Sequence, residues 1–144
     1  MKFLFVCIIL CWNLFASTLH LATSANPSRL NPLLATDSSS SEIAGFIFNG
    51  LVKYDKDSAT IIGDLANKFY FEDSKTLVFE LKKNVYWHDG THFTAKDVLF
   101  TYQILVSPKI SSPYSANFRF VKGVEVVNDY TVRVTYKKAY FNKR

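Results

Sequence analysis

The spacing of apolar positions changes several times along this chain, and each change marks an element. Phe3 to Phe15 is an apolar run interrupted only by Asn13, with Lys2 before it and the small residues Ala16 and Ser17 after it. A positive start, a short apolar stretch and a small-residue boundary predict a secretory signal peptide over residues 1–16, too short to cross a bilayer as a helix. Cleavage after Ala16 competes with cleavage after Ala25, where Thr23 is the better residue at the third position before the cut. The later cut would remove Leu19 to Thr23. Because Thr18 to Ala22 alternates as a short strand does, cleavage after Ala16 is favoured.

Asn26-Pro27 and Asn31-Pro32 then predict a loop, since proline disfavours helix in the residue before it. Asp37 and the four serines after it supply several N-caps. Ile43, Phe46, Ile47 and Leu51 recur at helical spacing, so a helix is predicted from about Ser40 to Asn49, with Gly50 as its stop. Leu51 to Tyr54 reads as a short strand, Asp55 to Ser58 as a turn, and Ile61 to Ala66 as a second apolar stretch. Lys68–Phe71 and Thr76–Lys82 read as two strands joined by Glu72 to Lys75. In the second, Leu77, Phe79 and Leu81 share one face and Val78, Glu80 and Lys82 the other, a half-buried pattern. Asn84 is expected at positive φ. Thr94 and Asp97 form a capping-box pair before a helix whose apolar face is Val98, Leu99, Tyr102 and Leu105. Pro108 and Pro113 bound a loop. Val124–Val127 and Tyr130–Tyr136 flank Asn128-Asp129 as a hairpin.

Composition narrows the class. The chain has 144 residues, 49% of them hydrophobic and 20% charged, which fits one globular domain with a modest core. Thirteen Phe and eight Tyr imply a ring-rich core or groove. Cys7 and Cys11 both lie in the leader, so thiol and disulfide chemistry are not expected after cleavage. Leu10, not a small residue, precedes Cys11, so a lipid anchor is not expected either. The formal charge is +5, and about +4 once Lys2 is removed. The basic residues come as pairs, Lys82-Lys83 and Lys137-Lys138, so nucleic acid is not an expected partner.

Candidate chemistry is sparse. His88 and His92 bracket Asp89-Gly90. On a helix that spacing would suit a metal, but Asp-Gly forces a turn, and the expected roles are structural: Trp87 packs and the His88 imidazole meets a backbone group. There is no Gly-x-Ser-x-Gly element and no phosphate-cradling glycine loop, with five glycines in all, so an enzyme is not expected and neither metal nor cofactor is assigned.

Four ordered pieces carry a resemblance. They are Leu30-Asn31-Pro32-Leu33; Ile47 to Asp55 (IFNGLVKYD); Ala66 with Asp73, Thr76-Leu77, Phe79, Leu81 and Lys82; and Trp87-His88-Asp89-Gly90 with Phe93-Thr94-Ala95 and Asp97-Val98. Together they resemble the family 5 extracellular solute-binding proteins, the oligopeptide, dipeptide and nickel receptors of bacterial ABC importers. The chain departs from the pattern at Asn84, where the family usually has Gly, at Lys82, where Arg is commoner, and at Ala139, where Pro is frequent. The resemblance implies an α/β fold, the incomplete N-terminal part of a type II periplasmic binding protein-like two-lobed structure with a mixed sheet and flanking helices. Residues 17–50 would begin the first lobe and 51–144 form a small α/β subdomain, truncated at its C-terminus. It further implies a periplasmic monomer that binds short peptides between two lobes and delivers them to an inner-membrane ABC permease. Alternatives are a truncated, non-transporting secreted remnant or interaction module, and a nickel-chelate receptor of the same family. Thr36, Asp37 and Ser38 would lie in the cleft loop of the first lobe and line the peptide. The same short polar side chains suit a helix N-cap equally well.

Overall fold

A computed structural model of the chain describes residues 22–23 and 25–139. The leader, with Cys7 and Cys11, and nearly all of the expected first strand over Thr18 to Ala22 lie outside the described residues. In chain order the elements are α1 (Ser38–Ile47), β1 (Val52–Tyr54), β2 (Ile61–Gly63), β3 (Ala66–Phe71), β4 (Thr76–Leu81), α2 (Ala95–Val106), a 3-10 turn (Ser115–Phe118), β5 (Val121–Asn128) and β6 (Thr131–Tyr136). β1 and β2 form a two-stranded sheet, and the other strands a four-stranded sheet of order β3-β4-β6-β5. Every strand pair among the described residues is antiparallel.

The core lies between the four-stranded sheet and α2. Ala66, Phe79, Leu81, Phe93, Ala95 and Val132 form its buried centre, and Val98 of α2 packs against them with Phe69, Val124, Val126 and Val134 of the sheet. Small residues at Ala66 and Ala95 let backbone approach backbone. The Ala95 N–H donates to the Asp129 carbonyl at 2.8 Å, which docks the start of α2 on the β5–β6 turn. The expected cap is present: the Thr94 N–H donates to the Asp97 carboxylate at 2.7 Å and the Asp97 N–H to the Thr94 carbonyl at 3.1 Å.

Several sequence expectations are corrected. α1 begins and ends about two residues earlier than expected. Asp37 takes the cap by accepting the Ser40 N–H at 2.8 Å, and Phe48 already turns extended without waiting for Gly50. Gly50 serves close approach instead, because a Cβ there would stand 2.9 Å from the Val52 carbonyl oxygen. α1 buries its small residues Ser39, Ser40 and Ala44, while Phe46, one of the apolar residues at helical spacing, is 68% exposed. Ile61 to Gly63 is a strand in its own right, paired with β1.

β4 is covered on both faces at Val78, which is 3% exposed. Its direct cross-strand neighbours are Tyr70 and Arg133, two long side chains on the face expected to meet water. Arg133 is held between Glu72, at 3.0 Å, and Glu125, at 3.4 Å. Asn84 is not at positive φ; among the described residues the left-handed positions are Ala59 (φ 53°), in the β1–β2 turn, and Gly90 (φ 85°). The β3–β4 and β5–β6 hairpins stand where the alternation put them.

Candidate ligand-facing loop and groove

The loop before α1 is built from local polar contacts. Asn31 folds the chain back on itself: its carbonyl accepts the N–H groups of Leu34 and Ala35 at 3.0 Å, and its side chain accepts that of Leu33 at 2.9 Å. Two long-range bonds from the loop after α2 then fix this turn. The Ser112 hydroxyl donates to the Leu33 carbonyl at 2.7 Å, and the Tyr114 hydroxyl donates to the Ala35 carbonyl. The loop is thereby set by residues far away in sequence, which no local pattern revealed.

Asp37 is the polar centre of this loop. Its carboxylate accepts the Ser28 hydroxyl, the Ser40 N–H and the Ser40 hydroxyl. The Ser28 hydroxyl first, and then the two Ser40 donors, hold its pKa down to about 2, because each stabilises the charged form. Ser40 is fully buried, and its hydroxyl also accepts the Arg29 N–H at 3.1 Å. Asp37 thus acts as the helix cap and joins the two ends of the loop. Thr36 and Ser38 on either side of it are exposed, and their hydroxyls make no hydrogen bond among the described residues. The polar triplet therefore divides into one internal brace and two free donors.

Beyond α1 lies an open groove of about 890 Å³ with mainly apolar walls, among them Leu30, Ala44, Phe48, Tyr86, Trp87 and Tyr114. Thr36, Asp37 and Ser38 do not line it. His88 does, while His92 does not. The Asp89 carboxylate accepts the Thr91 N–H at 2.9 Å and its hydroxyl at 2.7 Å, bonds that lower its pKa, and Gly90 closes the turn onto the Trp87 carbonyl. His92 lies against the Tyr86 ring at 4.2 Å, and Trp87 meets Phe93 edge-on at 5.9 Å. The expected bond from His88 to a backbone group is not formed among the described residues. Nor do the described residues gather three or more His, Cys, Asp or Glu side chains at one point.

Residues 60–143 match the family model of the bacterial extracellular solute-binding proteins, family 5, middle segment. The chain belongs to that family. The structure of the Bacillus subtilis oligopeptide-binding protein AppA, solved with a nonapeptide, superposes with a TM-score of 0.75 at 29% identity, over 80% of this chain and 23% of that one. NikZ of Campylobacter jejuni, solved with Ni(L-His), superposes with a TM-score of 0.71 at 30% identity, over 81% of this chain and 23% of that one. In sequence, the Bacillus subtilis oligopeptide-binding protein OppA is 29% identical over 112 residues, 78% of this chain and 21% of the relative. The chain thus spans about a fifth of the length of the curated relatives it matches. The fold is that of a part of a type II periplasmic binding protein-like structure, as the four sequence pieces implied.

Proposed function

We propose that this chain supplies the opening part of the ligand-binding lobe in the receptor of a bacterial ABC peptide importer. The observation that carries the reading is the superposition on a peptide receptor solved with its nonapeptide, at a TM-score of 0.75. In this reading the ligand is a short peptide enclosed between two lobes, held mainly by main-chain hydrogen bonds, and passed to an inner-membrane permease after hinge closure. No bond is made or broken, so the receptor is not an enzyme. The exported, periplasmic location rests on the family and on the leader pattern of residues 1–16.

Within this reading the loop Thr36-Asp37-Ser38 faces the peptide. Asp37, internally bonded to Ser28 and Ser40, holds the loop's shape. Thr36 and Ser38 are exposed and their hydroxyls make no hydrogen bond among the described residues, so they offer donors and acceptors to the peptide backbone.

The test is a chimera in which residues 22–139 replace the matching segment of Bacillus subtilis AppA. A folded chimera should bind the nonapeptide, and Thr36→Val with Ser38→Ala should weaken binding by about tenfold, as the loss of one net hydrogen bond implies. A folded chimera that binds no peptide would refute the reading. One that binds Ni(L-His) instead would transfer it to the metal-chelate branch of the family. Unchanged affinity in the double variant would remove the loop from the site.

A further inference from the structure

One end of the four-stranded sheet gathers cations. The Tyr136 N–H donates to the Lys75 carbonyl at 2.8 Å, and the Lys137 N–H to the Phe120 carbonyl at 2.9 Å. The Lys137 ammonium reaches the Arg119 carbonyl at 2.7 Å, and Val121 pairs with Tyr136. These contacts bring the β3–β4 turn, the start of β5 and the end of β6 together, and with them Lys75, Arg119, Lys122, Lys137 and Lys138. All five are exposed, and none forms an ion pair among the described residues.

The acids at this end are already engaged. Glu72 is bonded to the Arg133 guanidinium at 3.0 and 3.3 Å. Asp73 accepts the Lys75 N–H at 2.6 Å and the Thr76 hydroxyl at 3.0 Å. Among the cations stands Phe120, 50% exposed, with the Arg119 guanidinium 4.6 Å from its ring centre.

We propose that this end of the sheet docks on a membrane surface carrying anionic phospholipid headgroups. The cations would meet headgroup phosphates, and Phe120 would enter the boundary between headgroups and acyl chains. Three features favour this partner. The cations are exposed and spread over three segments instead of converging in a buried cradle, which suits a diffuse negative surface better than a single small anion. An exposed ring among cations suits a boundary that is charged outside and apolar inside. A leader for export points away from nucleic acid, the other extended polyanion.

The experiment is co-sedimentation of the full chain with phosphatidylcholine vesicles, with and without phosphatidylglycerol, across a salt series. The apolar N-terminal stretch is present in every protein compared, so the patch is read as the excess of binding that phosphatidylglycerol adds over phosphatidylcholine alone. That excess should be present in the parent and fall as salt rises. Lys122→Gln with Lys138→Gln should weaken it by about thirtyfold, since each cation near an anionic surface contributes about fivefold. Phe120→Ser should weaken it while keeping the salt dependence. Lys56→Gln with Lys83→Gln, the same change in net charge placed elsewhere, should leave it nearly unchanged. Urea midpoints equal to the parent's would show that each variant is folded. Equal losses in the two lysine pairs would overturn the proposal, because net charge alone would then explain binding. Equal binding to both vesicle types would overturn it, as would displacement by inorganic phosphate at matched ionic strength, which would indicate a small-anion site.

Discussion

Val132→Ala should destabilise the chain more than any substitution of similar size on the strand surfaces. Val132 is 0% exposed and stands opposite Phe79 of β4 and Val126 of β5, at the centre of the buried cluster. The substitution removes two methyl groups from a filled site. Their transfer back to water costs about 1.6 kcal/mol. The void adds up to about 1 kcal/mol where its walls cannot close. β6 is paired on both sides, by β4 and β5, so little collapse is expected and the total is about 2–3 kcal/mol. In urea, with a slope near 2 kcal/mol/M for a chain of this size, the midpoint should fall by about 1–1.5 M. The control is Val127→Ala on β5, where the side chain is 43% exposed and the loss should stay under about 1 kcal/mol. Equal losses at the two sites would refute the placement of the core. A changed slope would mean that the substitution altered the unfolded ensemble, and the comparison would then have to be repeated by thermal melting.

Three further outcomes follow from the same geometry. The pKa of Asp37 lies below its unfolded value, so its bonds to Ser28 and Ser40 contribute fully above about pH 4 and are lost as pH falls toward about 2; Asp37→Asn should flatten the fall in urea midpoint across that window, and an unchanged slope would contradict the loop brace. Asp97→Ala should cost about 1 kcal/mol through the lost α2 cap, against almost nothing for the exposed neighbour Lys96→Ala, as read from paired denaturation curves. Gly45→Ala, in open space on α1, should raise stability by about 0.5–1 kcal/mol. Gly63→Ala should lower it by about 1–3 kcal/mol, since its Cβ would stand 2.2 Å from the Ala66 carbonyl oxygen; opposite signs in thermal melts check the pair together.

Much of the fold was legible because its signals are local. Period-two alternation marked the β3–β4 and β5–β6 hairpins, and Thr94 with Asp97 marked the start of α2 at the residue where the cap forms. The four motif pieces named the family, because their order is rarer than any one of them. Where the sequence misled, long-range packing decided. Phe46 sits at helical spacing with Ile43 and Ile47, yet it is 68% exposed and the buried residues of α1 are Ser39, Ser40 and Ala44. Val78 was assigned to a wetted face, yet Tyr70 and Arg133 flank it from the adjoining strands. Asn84 needed no left-handed turn, while Ala59, with no side chain that advertises one, takes it.

The candidate site divides in the same way. Sequence alone singled out Thr36, Asp37 and Ser38 as short polar groups before a helix, with binding and capping equally suited to them. It also separated His88 from His92 through the Asp89-Gly90 turn, because both judgements depend on the chemistry of adjacent residues. Only the tertiary structure assigned Asp37 to the brace, left the hydroxyls of Thr36 and Ser38 without a bond among the described residues, and brought Ser112 and Tyr114 onto the carbonyls of Leu33 and Ala35. It alone collected five cations from three segments around Phe120. The physical reason is range: capping, alternation and turn formation act within a few residues, whereas a carbonyl's partner 79 positions away depends on how the sheet and α2 pack.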